Sequence, residues 1–212
     1  MFSRAKIFFP SSILRLFDNS RIVLVYGPEG SGKTNLVLAY MLYHLSSSAS
    51  SRSIYVSTEG SAYRDRVRQL ALHEFGDRAL FAEALDGLHL LTLVVRSLIL
   101  HAASQISLVV IDSINYHYRA EASSLHTMKI FLTTLILLRD LASQGAKVVA
   151  VAQVREGEED IEPSGFKYLR AWCDEVLKLT TVRGPHKRLC LESSGECYDF
   201  VIHHYGIQWI QS

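Results

Sequence analysis

The chain has 212 residues, 49% of them hydrophobic, which is enough for one well-buried domain with a small appendage. Its net charge of +1 excludes a generally basic nucleic-acid coat, though not a local basic patch. Cys173, Cys190 and Cys197 are odd in number and form no C-x-x-C pair, so ordinary thiols in a reducing compartment are expected, not a disulfide frame or a zinc site.

Residues 1–20 are a lead-in rich in large apolar groups (Phe8, Phe9, Leu14, Leu16 and Phe17). Packing on the domain's own sheet is expected, because an exposed apolar patch is costly; docking on a neighbour is the alternative. Pro10 and the serines interrupt any signal-like core, so a cytoplasmic protein is expected.

Ile22 to Tyr26 is a β-branched and aromatic run, a candidate buried strand. Gly27, Gly32, Lys33 and Thr34 follow at the G-x-x-x-x-G-K-[ST] spacing of a phosphate-binding loop, and residues 33–45 read as a helix. This strand–loop–helix context is the one the motif needs. Glycines let successive backbone N–H groups face one anion, and the helix start adds partial positive charge. Gly27, Pro28, Glu29, Gly30, Ser31, Gly32, Lys33, Thr34 and Asn35 are therefore the expected nucleotide-binding set. Lys33 supplies a cation for the outer phosphates and Thr34 a hydroxyl for Mg²⁺.

A serine-rich loop leads to a second strand, Ser53 to Ser57, which ends in Thr58-Glu59-Gly60. A helix is expected from about 61 to 75, a third strand over 80–85, and a buried helix over 88–103. The last is too short for a comfortable membrane span and carries His89, Arg96 and His101. Ile106 to Asp112 is a buried strand ending in a carboxylate; a helix over 124–143 and a strand over 146–153 follow. Alternating helices and two-sided apolar strands imply a parallel sheet with helices on both faces. After Pro163, runs at 175–181, 187–192 and 198–203 leave no room for helices between them, so they are expected to pair antiparallel.

Asp112, at a strand's C-terminal end, is a candidate Mg²⁺ ligand with Thr34, since Mg²⁺ takes hard oxygen ligands. Glu59 fits either a base for an attacking water or a carboxylate favouring the next helix start. Gln153 fits either a hydrogen bond to a γ-phosphate or a simple strand-end contact. His203-His204 has no spaced third ligand and is not expected to hold metal.

Together, the phosphate loop, Thr58-Glu59-Gly60, Val-Val-Ile-Asp112-Ser113 and Val-Ala-Gln153-Val resemble the RecA/RadA superfamily core. Ile111 to Glu121 resembles its magnesium strand and first DNA loop, and Pro163 to Trp172 with the strands after it resembles its C-terminal region. Gly-Ser-Gly-Lys-Thr-Asn35 is especially similar to RadB-type archaeal paralogs. The likeness begins near residue 12. It implies an α/β, RecA-like P-loop NTPase with a mostly parallel twisted sheet flanked by helices and C-terminal antiparallel strands. Residues 21–212 would be that core, with 1–20 packed on it or on a neighbour.

The resemblance makes Glu59 the implied catalytic base, Gln153 the implied γ-phosphate sensor beside Lys33, and Tyr63 or Arg66 the implied neighbour of adenine. It implies ATP, Mg²⁺, weak single-stranded DNA binding, and a RadA-type recombinase, another repair protein or a second copy as partner. The implied function is slow ATP hydrolysis in DNA recombination and repair, as accessory to the main recombinase. A nucleotide-gated protein-binding module and a KaiC-like regulatory ATPase are the alternatives. The second-loop region departs from the pattern: Glu156, Glu158, Glu159, Asp160 and Glu162 outnumber Arg155, and carboxylates oppose phosphate binding. Arg119, Lys167 and Arg170 are the leading candidate DNA contacts, with Arg183, Lys187 and Arg188 behind them; all are equally ordinary surface charges. The family's Asp-Pro cap is not evident around Glu192-Ser-Ser194.

Overall fold

A computed structural model describes residues 9–104, 106–154, 162–204 and 206–210. Among these residues, nine strands form one sheet: β1 (Ile22–Gly27), β2 (Ser53–Ser57), β3 (Ala79–Glu83), β4 (Leu108–Asp112), β5 (Lys147–Gln153), β6 (Glu175–Arg183), β7 (His186–Leu191), β8 (Cys197–His203) and β9 (Gly206–Trp209). The order is β3-β2-β4-β5-β1-β6-β7-β8-β9. The first six positions pair in parallel and the last three strands antiparallel.

The helices are α1 (Ser11–Asn19), α2 (Lys33–Ser47), α3 (Tyr63–Gln69), α4 (Gly87–Ser104), α5 (Tyr116–Ala120), α6 (Leu125–Ser143) and α7 (Phe166–Trp172). One apolar layer joins α1, α2 and α3 to one sheet face; α4, α6 and α7 pack on the other. β1, β2 and β4 are buried at every residue, as their two-sided apolar sequences require.

The described part of the lead-in packs on its own domain. α1 places Ile13 and Phe17 in the core with no exposure, and Phe17 stacks on Tyr40 of α2 at 3.9 Å between centroids. Lys147 of β5 donates to the carbonyls of Phe17 and Ser20 at the helix's C-terminal end.

Four expectations need correction or extension. The helix expected over 61–75 stops at Gln69, where Ala71 turns left-handed (φ 53°) and a kinked 3₁₀ stretch, Leu72–Arg78, follows. The helix expected to be buried, α4, faces the sheet with only one stripe: Leu88 is 60% exposed and Ile99 63%. Cys190 and Cys197 form a disulfide, because the β7–β8 register sets them opposite one another with Cα atoms 4.1 Å apart. A fourth late strand, β9, extends the antiparallel edge.

Candidate active site

Parallel register brings the strand tips into one row. Ser57 pairs with Asp112 across β2 and β4, and Gly27 pairs with Gln153 across β1 and β5. The loop after β1 therefore opens beside the ends of β2, β4 and β5, where α/β sheets bind ligands.

Two glycines of that loop are fixed by geometry. A Cβ on Gly27 would lie 2.2 Å from the Leu179 carbonyl oxygen. Gly32 caps α2 at φ 95°, and a Cβ there would meet Ile202 at 2.6 Å. Ser31 is fully buried, and its hydroxyl has no hydrogen-bond partner among the described residues. Lys33, 6% exposed, donates to the carbonyls of Gly27 at 2.9 Å and Pro28 at 2.7 Å. Burial lowers its pKa, while the carboxylate of Asp112 and then that of Glu59 act in the opposite direction.

Asp112 is 5% exposed. Its Oδ2 accepts from the Thr34 hydroxyl and from the Tyr55 hydroxyl, each at 2.7 Å. Burial raises the carboxyl's pKa, and these two bonds partly counter it. Tyr55 escaped the sequence reading. Its signal was a phenol inside a fully buried strand, two residues from a strand tip; such a hydroxyl needs a partner.

Thr58 and Ser57 shape the turn that presents Glu59. The Thr58 hydroxyl donates to the Ser113 carbonyl and accepts from the Ser113 N–H, both at 2.8 Å. The Ser57 hydroxyl donates to the Gly60 carbonyl at 2.7 Å. Glu59 is exposed, and its Oε2 accepts from Gln153 Nε2 at 2.5 Å. Glu29, Gly30, Gly32, Lys33, Thr34, Asn35, Glu59, Asp112 and Gln153 line one cavity of about 210 Å³. An adjoining cavity of about 300 Å³ shares Thr34, Asn35, Glu59 and Asp112 and extends to Tyr63 and Arg66.

Tyr63 and Arg66 thus stand at the edge of the site, both already engaged. The Tyr63 ring is 7% exposed and packs against Tyr55 and Phe81. Arg66 donates to the carbonyls of His203 at 2.8 Å and His204 at 3.2 Å, tying α3 to the β8–β9 turn.

The basic candidates scatter. Arg119 lies over the Tyr116 ring and donates to Gln153 Oε1 at 3.4 Å. Lys167 is exposed over Tyr168, and Arg170 pairs with Glu192 at 3.1 Å. Lys187 is not a surface charge: it is 8% exposed and donates to Gly30. Arg188 forms two bonds to Asp199. Of the acidic stretch, 155–161 lies outside the described residues; Glu162 is exposed. Among the described residues, no helix is long and apolar enough to cross a membrane.

Residues 11–159 match the family model of the AAA domain. The chain is 27% identical over 201 residues to the DNA repair and recombination protein RadB of Methanocaldococcus jannaschii, covering 89% of this chain and 93% of that protein. It is 30% identical to the protein of the same name from Methanosphaera stadtmanae, over 74% of this chain and 72% of the relative. For the Thermococcus kodakarensis protein of that name the identity is 31%, over 79% and 77%.

Proposed function

We propose, from the premise that the chain belongs to the RadB family of RecA-like P-loop ATPases, that it binds Mg-ATP, hydrolyses it slowly and serves DNA recombination and repair in the cytoplasm. One observation carries this reading: the Thr34 hydroxyl and the Asp112 carboxylate meet at 2.7 Å across the mouth of a glycine-lined cradle, with Glu59 on the neighbouring strand tip.

The donors fit the ligand. Amides from Gly30 to Thr34, at the start of α2, would face the phosphates. Lys33 would exchange its two carbonyl partners for phosphate oxygens. Thr34 and Asp112 offer only oxygen, as a small hard dication requires. That ion would neutralise charge on the outer phosphates. Glu59 would take the proton from an attacking water, and Gln153 would hold that carboxylate in line. Tyr63 and Arg66 would flank the adenine end.

The place in recombination and repair rests on the relatives' names, and the accessory role on the engaged basic side chains. Arg170 and Arg188 are already paired with carboxylates, and a phosphate-tracking surface needs spare cations. Arg119 and Lys167 remain the candidate contacts for single-stranded DNA. The partner expected is a RadA-type recombinase or another repair protein.

ATP turnover by the purified protein, with and without single-stranded DNA, tests this while light scattering follows its mass. Slow Mg²⁺-dependent phosphate release that responds to DNA supports it. Tight ATP binding with no release at saturating Mg²⁺ overturns the hydrolytic part, and release indifferent to DNA overturns the recombination part.

A further inference from the structure

The segment after β4 grips Gln153 at three points. Asn115, with no exposure, brackets its backbone: Nδ2 donates to the Gln153 carbonyl at 3.0 Å, and Oδ1 accepts from the Gln153 N–H at 3.1 Å. One turn on, Arg119 reaches the side chain, with Nη1 3.4 Å from Oε1. The Arg119 N–H bonds back to the Asn115 carbonyl at 2.8 Å, so both gripping residues move as one piece.

This grip sets which way the Gln153 amide points. A guanidinium faces its oxygen, and the Glu59 carboxylate faces its nitrogen at 2.5 Å. Reversing the amide would set oxygen against carboxylate and N–H against cation, so charges of opposite sign on its two sides fix one orientation. In that orientation one Glu59 oxygen is bound and the other is left for water. Arg119 is itself steadied by the Tyr116 ring, 5.8 Å from its guanidinium carbon.

We propose that Asn115 and Arg119 are positioning residues for hydrolysis, aligning the Glu59 carboxylate through the Gln153 amide. The proposal rests on the reading of Glu59 as base. It assigns Arg119 a task inside the site, beyond that of a surface cation. It also makes α5 a lever: displacement of this short helix would misalign the base without touching the phosphate cradle.

The test combines kinetics with spectroscopy. Arg119→Ala should lower kcat about tenfold, within the range that misplacing a catalytic group costs, with ATP affinity within about twofold of wild type. Arg119→Lys should recover part of the loss. Arg119→Ala combined with Gln153→Ala should be no slower than Gln153→Ala alone, because one residue acts through the other. Losses that multiply, or a change confined to ATP affinity, would overturn the proposal.

Spectroscopy without nucleotide gives the independent arm. The Gln153 side-chain NH₂ resonances, identified by their loss in Gln153→Met, should shift in both Arg119→Ala and Glu59→Gln. Insensitivity to either substitution overturns the alignment. Shifts present in a wild type that never hydrolyses ATP would instead strike down the reading of Glu59 as base and leave the alignment standing.

Discussion

Lys187 of β7 donates from Nζ to the carbonyl oxygen of Gly30 at 2.7 Å, so a strand near the end of the chain braces the loop near its beginning. Its second acceptor is the Thr181 hydroxyl at 3.0 Å, and burial lowers its pKa. Both acceptors are neutral, so the ammonium's desolvation is only partly offset. Lys187→Met keeps the stem and removes the donors. Its unfolding midpoint should stay near that of wild type, because losing the bonds and losing a desolvated charge act in opposite directions. ATP affinity should fall about tenfold, roughly 1.4 kcal/mol, as the cradle loosens. Calorimetric titration showing unchanged affinity would remove Lys187 from the loop's support.

Lys33 and Glu59 should separate binding from turnover. Lys33→Ala should abolish measurable ATP binding, since no other side chain of the loop brings a positive charge to the phosphates. Glu59→Gln should bind ATP like wild type and lose turnover by about a hundredfold or more. Normal phosphate release by the glutamine variant would strike Glu59 from the mechanism.

Asp112 carries a tension between stability and function. Its ionised form is disfavoured by burial, while the same charge would hold the dication. Asp112→Asn keeps an oxygen acceptor for Thr34 and Tyr55. The nucleotide-free variant should be as stable as wild type or up to about 1 kcal/mol more stable. Its ATP binding should no longer respond to Mg²⁺. A marked drop in stability together with retained Mg²⁺ dependence would contradict both halves.

His44 gives a pH signature distant from the site. Burial, then the charge of Lys147, lowers its pKa, and Nε2 contacts the Ser107 hydroxyl at 2.8 Å. Below the ordinary histidine value the unfolded chain binds the proton more readily. The stability from neutral His44 is therefore fully present above about pH 6.5 and is lost as pH falls through its lowered folded value. His44→Gln should flatten the decline in urea midpoint between about pH 7 and 5. An equal difference between variant and wild type at both ends of that range would count against it.

α1 should prove part of the folding unit. Phe17 is fully buried and stacked on Tyr40, so Phe17→Ala should cost about 3–5 kcal/mol. Urea unfolding at several protein concentrations reads this. A cost under about 1 kcal/mol, small for a core aromatic, would mean the helix contributes little to this domain.

The centre of the parallel sheet was legible because β1, β2, β4 and β5 are apolar on both faces and end where the chemistry must be. Asp112, Glu59 and Gln153 could be placed by that logic alone. The grip of Asn115 on Gln153 was not, because it depends on where the chain turns after Asp112, and no periodicity encodes that. The exposed side of α4 was hidden by composition: an apolar helix reads as buried until its position over the sheet is known. The disulfide escaped for a similar reason. Cysteines seven apart carry no spacing signature, and only the β7–β8 register sets them face to face. Lys187 read as surface charge because its burial depends on pairing with strands on either side.

The antiparallel edge has a consequence for the making of the protein. Every motif residue of the phosphate loop has left the ribosome long before Leu179, Lys187 and Ile202 are synthesised, yet these three press against Gly27, Gly30 and Gly32. A nascent chain therefore carries the full signature for its ligand while still lacking the wall that shapes it. The wall of the pocket can form only once β6, β7 and β8 have been made, so the phosphate loop waits unbraced through the synthesis of more than half of the sheet.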